Sequence, residues 1–127
     1  STNANAKFFE NTFCNCYSLE NIPAELFSRN KDARNFSGTF QGCWNLKEIP
    51  ASLFDNNRKV LNFNYTFYCC YSLLGESPYT EIDGIKYHLY DRHANPDHFV
   101  LPVEHYGCFS GCENMSDIQA IMDNQWW

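Results

Sequence analysis

Seven cysteines and four histidines are the side chains in this sequence best suited to chemistry. Cys16, Cys43, Cys70 and Cys112 recur in one context, each three residues after a Phe and three before a Leu or Met. A structural zinc site needs four ligands converging on a tetrahedron, whereas residues at a fixed repeat form a column that does not converge. A disulfide needs Cα atoms roughly 4.4–6.8 Å apart and side chains turned toward each other. Side chains in a column point the same way, so these four read as small buried thiols. Cys14, Cys69 and Cys108 lie off the column, and an odd total leaves one thiol free under any pairing. Adjacent Cys69 and Cys70 are the one pair worth checking for redox chemistry.

His88, His93, His98 and His105 fall in one stretch with Asp91, Asp97 and Glu104. A His/Asp metal site or a Cys–His nucleophile pair can be built from such residues, but no motif such as H-E-x-x-H organises them. Polar loops commonly carry such residues without chemistry. No catalytic residue, metal or cofactor is therefore assigned, and an enzyme or metal site in this insert is the weaker alternative. Tyr17, Trp44 and Tyr71 offer binding instead. Each follows a column cysteine directly, outside the inward spacing of three, and so is expected to face outward. Rings stacked ~4.8 Å apart would form a ribbon suited to sugar rings or a partner's apolar side chains. The fourth equivalent is Glu113, so the ribbon spans three units at most.

These positions are set by an internal repeat, which outranks every other signal in a chain of this kind. Thr12-Phe13-x-x-Cys16-x-Ser18-Leu19-x-x-Ile22-Pro23-Ala24-x-Leu26-Phe27 returns 27 residues later as Thr39-Phe40-x-x-Cys43-x-Asn45-Leu46-x-x-Ile49-Pro50-Ala51-x-Leu53-Phe54. It begins again as Thr66-Phe67-x-x-Cys70-x-Ser72-Leu73. Asn30, Ala33, Asn35 and Phe36 likewise return as Asn57, Val60, Asn62 and Phe63. The apolar spacing is three, and each unit reads as two half-turns with a short helical turn and a short strand in each. Stacking would bury Phe13, Phe40, Phe67 and Phe109 as one ladder, the cysteines as a second, and Leu19, Leu46, Leu73 and Met115 as a third. Glu20 and Lys47, one period apart, are an expected opposite-charge pair.

After Leu73 the pattern breaks. Tyr79–Ile82, then Asp83-Gly84, then Ile85–Tyr90 reads as a β-hairpin, because Asp-Gly between β-rich runs favours a tight turn. The motif resumes as Phe109-x-x-Cys112-x-x-Met115-x-x-Ile118, at a spacing of 42. Ser116 and Gln119 have the form of a helix capping box, and Trp126 with Trp127 could cover the last unit. The expected division is one domain over 1–127. Its units are 1–11 (partial), 12–38, 39–65 and 66–78 (partial), followed by an insert over 79–107 and a terminal unit with cap over 108–127. Asn3, Ala6 and Phe9 precede Asn30, Ala33 and Phe36 by the same interval, so the sequence opens inside a unit. It reads either as the C-terminal piece of a longer protein or as a chain whose first unit is poorly covered.

Composition narrows the partners. Residues 1–60 carry seven Lys/Arg against six Asp/Glu, and residues 61–127 carry two against nine. An acidic second half repels phosphate backbones, so nucleic acid is an unsuitable partner.

Phe40-Gln41-Gly42-Cys43-Trp44-Asn45-Leu46 and Phe109-Ser110-Gly111-Cys112-Glu113-Asn114-Met115 resemble the F-x-G-C-x-x-L units of BspA-like leucine-rich repeats from Bacteroidetes surface proteins. The stretch from Tyr79 to Phe109 also resembles the way such proteins end. The resemblance implies an α/β repeat solenoid, a right-handed leucine-rich-repeat-like coil with short parallel strands and short helical turns. It further implies export to the cell surface, with membrane attachment only through a lipid anchor upstream of these residues. The function implied is a non-enzymatic interaction or adhesion module for host or microbial protein ligands. A glycan-binding module of a nutrient-capture system is the alternative. The third unit departs from the pattern, lacking the Pro and Leu-Phe of its second half.

Overall fold

In the computed structural model, which describes residues 4–127, the spacing of three is a succession of i→i+3 turns. Thr12 N–H donates to Phe9 O (3.3 Å), Cys16 to Phe13 O (3.2 Å) and Leu19 to Cys16 O (3.1 Å). The same bonds recur at Thr39, Cys43 and Leu46, and again at Thr66, Cys70 and Leu73. With three residues per turn, positions i and i+3 eclipse one another, so every third side chain shares a side. The turns do not grow into a helix, because left-handed residues reset the chain. Asn11, Gly38, Tyr65 and Gly107 have φ of 55°, 63°, 58° and 62°, and Asn15, Gly42, Cys69 and Gly111 have 61°, 74°, 62° and 90°. At Gly42 a Cβ would run into the Asn15 carboxamide, and at Gly111 it would lie 3.2 Å from the Cα of Cys69.

Equivalent residues lie over one another. Phe13–Phe40, Phe40–Phe67 and Phe67–Phe109 stack at 5.4, 5.5 and 5.4 Å, within 11° of parallel. Phe9–Phe36 and Phe36–Phe63 stack at 5.2 and 6.1 Å, and Phe27–Phe54 at 6.1 Å. Phe27 and Phe36 meet edge to face at 4.7 Å, Phe54 and Phe63 at 5.4 Å, which locks the columns together. Trp126, buried on Phe63 at 5.6 Å, closes the second column, and its carbonyl accepts from Phe109 N–H at 3.0 Å. Of the residues expected to open the first unit, Asn3 lies outside the described residues.

The expected α/β leucine-rich-repeat solenoid, a right-handed coil of short parallel strands and short helical turns, is not what the chain forms. Among the described residues the regular elements are two strands and two short helices, all after Pro78. Parallel pairing is reduced to single bridges, Phe8 to Asn35, Asn35 to Asn62 and Asn62 to Glu104. The reason is local: Asn35 and Asn62 bend straight back, their side-chain oxygens accepting from Ser37 and Asn64 N–H at 2.8 Å each, so no strand can extend. The result is a small compact domain made mostly of turns.

The two strands, β1 (Tyr79–Ile82) and β2 (Ile85–His88), pair antiparallel around Asp83 and Gly84, whose φ of 51° and 80° fit a type I′ turn. The second strand stops at His88, and Leu89–Ala94 forms a 3-10 helix rather than continuing to Tyr90 as a strand. Helix α1 (Ile118–Asp123) takes Asp117 as its N-cap residue. The expected capping box of Ser116 and Gln119 is absent, because Ser116 N–H donates to Gly75 O and the Gln119 amide donates to Asp123. The opposite-charge contact across units is Lys59 with Asp32 at 2.7 Å, whereas Lys47 and Glu20 pair through their backbones.

Arg92 of the 3-10 helix repairs the gap in the third unit. The Asn57 side-chain amide donates to Phe27 O (3.0 Å) and Asn30 O (2.8 Å). One unit on, Arg92 donates to Phe54 O (3.0 Å) and Asn57 O (2.6 Å), the same pair of acceptors. The guanidinium is fully buried, and its carbon lies 4.5 Å from the Phe99 ring centroid. Burial, with Arg58 nearby, pulls its pKa down to about 9. Arg92→Met strands the Asn57 carbonyl and removes the second donor to Phe54 O, which keeps the Asn57 N–H at 3.0 Å. Urea unfolding should therefore show a loss of about 2 kcal/mol at constant m. Arg92→Gln, which restores an amide donor, should lose less. A wild-type midpoint for Arg92→Met would refute the assigned role.

Candidate functional site

The aromatic column divides at its third member. Tyr17 and Trp44 pack ring to ring at 4.3 Å with a tilt of 35°. They remain 46% and 48% exposed, so about half of each ring faces solvent. Tyr71 is 54% exposed, but its ring turns toward Gly111, where a Cβ would meet Tyr71 Cε1 at 3.2 Å. The neighbouring Cys69 thiol raises the Tyr71 pKa. Among the described residues no ring pair joins Trp44 to Tyr71, so the continuous surface is a two-ring face with Tyr71 beside it. Asn45 braces that face, its amide donating to Tyr17 O at 2.6 Å.

All seven cysteines are free. The column thiols turn their hydrogens onto the phenylalanine ladder: Cys43 donates to Phe13 O (3.2 Å), Cys70 to Phe40 O (3.1 Å) and Cys112 to Phe67 O (3.1 Å). Burial pushes the Cys43 thiol up to about 11 and those of Cys70, Cys108 and Cys112 well above the usual range. Leu46, Leu73 and Met115 are buried beside them, while Cys16 and Leu19, in the first unit, are partly exposed. Cys14 and Cys69 are also partly exposed.

The four histidines do not come together. His98 packs against Tyr87 at 5.4 Å, and His105 stacks on Trp126 at 4.5 Å, where burial lowers its pKa. His93, Asp97 and Glu104 are exposed, and Glu104 meets Asn62 only through its backbone. Among the described residues no group of three or more His, Cys, Asp or Glu side chains is arranged to hold a metal ion.

His88 alone gathers carboxylates. Its Nε2 is 2.5 Å from Glu76 Oε2 and 3.9 Å from Asp117 Oδ2, and its Nδ1 is 3.3 Å from Asp91 Oδ2. Asp117 also accepts from Ser77 Oγ (2.6 Å), Ser77 N–H (3.0 Å) and Tyr90 OH (3.2 Å). Burial works to raise the Glu76 pKa, but His88 and Lys86 together hold it below the usual range. Burial, and then Asp117, push the Tyr90 phenol up. Ser77 is buried and committed to Asp117, and both imidazole nitrogens face carboxylates, so this arrangement presents no free nucleophile. It ties residues 76–77, the hairpin, the 3-10 helix and α1 to one another. Sequence reasoning missed Glu76, Ser77, Tyr90, Arg92 and Asp117. Ser77 and Asp117 are 40 residues apart, and no motif spans that distance.

Comparison with protein-family models, with curated proteins and with solved structures returns no match.

The thiols give two measurable consequences. In native protein near pH 8, a thiol reagent should modify Cys14, Cys16 and Cys69 first, with the other four reacting only on unfolding. Unfolded thiols ionise from the ordinary value of 9.0, whereas folded Cys43 keeps its proton to about 11. Its contribution to stability is thus complete below pH 9 and is lost as pH rises from 9 to about 11. Thermal unfolding should show that decline, and it should be shallower in Cys43→Ala. Rapid native labelling of all seven thiols would contradict the burial described.

Proposed function

We propose that this chain is a non-enzymatic interaction module at a cell surface, which engages a protein ligand through the face formed by Tyr17 and Trp44, with Tyr71 alongside. The observation that carries the reading is the exposure of those rings. A chain that buries most of its phenylalanines leaves two adjoining large aromatics about half in water. Rigid aromatic side chains give much contact area for little lost rotamer freedom, and Tyr and Trp dominate binding hot spots for that reason. Covering the remaining half of each ring is worth about 1–2 kcal/mol per residue.

The surface location rests on the resemblance of the Phe-x-Gly-Cys units to BspA-like proteins. No helix among the described residues is long and apolar enough to cross a membrane. The partner is a host or microbial surface protein, and the acidic residues 61–127 disfavour nucleic acid. A glycan ligand of a nutrient-capture system is the second reading, supported by the open half of Trp44, on which a sugar ring can stack.

Arrays of extracellular-matrix proteins and of glycans, probed with wild type and with a Tyr17→Ala/Trp44→Ala double variant, separate the two. The proposal expects protein spots that lose at least about tenfold in signal with the double variant, whose melting temperature should stay near wild type. Signal on glycan spots alone would select the second reading. Equal binding by wild type and variant would remove the aromatic face from both.

A further inference from the structure

A second aromatic cluster, sharing no residue with the Tyr17–Trp44 face, gathers around Tyr65. Tyr65 has a φ of 58°, a left-handed backbone that bulky residues rarely adopt. That conformation lays its ring over Gly107, where a Cβ would come within 2.8 Å of Tyr65 Cε1. Two further tyrosines stand nearly perpendicular to this ring. Tyr68 is 5.2 Å away at 82°, and Tyr106 is 5.6 Å away at 88°. Trp127 and Ser110 complete a hollow of about 270 Å³. Tyr106 is 70% exposed, and its backbone N–H is held by the Asn64 carboxamide at 2.6 Å.

Rings at right angles around a small hollow make a cage, not a platform. A flat sugar stacks on one open face, whereas a cation is attracted by several ring faces at once. The charge around the cage points the same way. Residues 61–127 hold two cations against nine carboxylates, and neither cation is available to fill the hollow. Lys86 sits over Tyr79 and beside Glu76, and Arg92 is buried on Phe99. Glu104 lines the adjoining hollow, which shares Tyr106 and Trp127 with the cage. The cage walls themselves are uncharged, which favours a weakly hydrated cation over a compact ammonium that would surrender its water.

We infer that Tyr65, Tyr68, Tyr106 and Trp127 form a binding site for a quaternary ammonium group, such as that of choline or of a trimethylated lysine. The site is independent of the Tyr17–Trp44 face, and loss of one leaves the other intact.

Titration of the full chain with choline chloride, followed by calorimetry or NMR shifts, tests the inference against 3,3-dimethylbutanol, the uncharged carbon analogue of choline. Choline should bind with a dissociation constant on the order of 1 mM, and the neutral analogue about tenfold more weakly. Tyr106→Ala, at an exposed position, should weaken choline about fivefold or more, while Tyr17→Ala/Trp44→Ala leaves it unchanged. A trimethyl-lysine peptide run in parallel identifies the source of the cation, since whichever probe binds tighter carries the natural group. Equal binding of choline and its neutral analogue, an unaffected Tyr106→Ala, or no binding of either ammonium probe would overturn the site.

Discussion

A backbone that is neither helix nor sheet satisfies only part of its polar groups by itself, and once buried each unmet group costs about 1–3 kcal/mol. Most of this chain is turns, so that constraint falls on its side chains. Thr39 and Thr66 place their hydroxyls within 3.0 Å of paired phenylalanine carbonyls. Cys43, Cys70 and Cys112 donate thiol hydrogens to the next carbonyls along, and Asn57 donates to a further pair. The residue types of the repeat follow from that need. A Thr, a Cys and an Asn recur because each supplies a small buried donor at a fixed place. Where the sequence abandons the pattern after Leu73, Arg92 reaches in from the 3-10 helix and meets the acceptors the missing Asn would have met.

The phenylalanine columns answer a second constraint. Turns bury little apolar surface by themselves, so the interior is filled by large rings stacked at 5.2–6.1 Å and braced by edge-to-face neighbours. Such stacking requires equivalent residues to return to one line after each 27-residue unit. The left-handed positions make that return possible. They alternate between residues with a side chain and glycines, because the side chain of one unit lies where the next would need its Cβ. The Asn15 carboxamide fills that space over Gly42, and the Tyr65 ring fills it over Gly107.

What remains on the surface is sharply divided. The two-ring face of Tyr17 and Trp44 lies in the half of the sequence where charges nearly balance, and the tyrosine cage lies in the acidic half. The His88 cluster draws four segments together through carboxylates that the sequence scatters from Glu76 to Asp117. A buried polar network of this kind specifies one docking of hairpin and helix, since a shifted arrangement leaves several charges unmatched.

The repeat interval, the inward spacing of three, the hairpin turn at Asp83-Gly84 and the outward position of Tyr17 and Trp44 were legible in the residues alone, because each depends on local geometry or on strict periodicity. The type of secondary structure was not. A spacing of three suits the turns of a helical coil and a chain of separate i→i+3 turns alike, and only the bent-back Asn35 and Asn62, with left-handed resets at Asn11 and Asn15, decide against parallel strands and helical turns. The turn of Tyr71 toward Gly111, the reach of Arg92 and the gathering of Glu76, His88, Asp91 and Asp117 were likewise decided by tertiary structure. Each joins residues whose separation in the chain carries no period, so their meeting depends on how the insert folds back onto the stacked units.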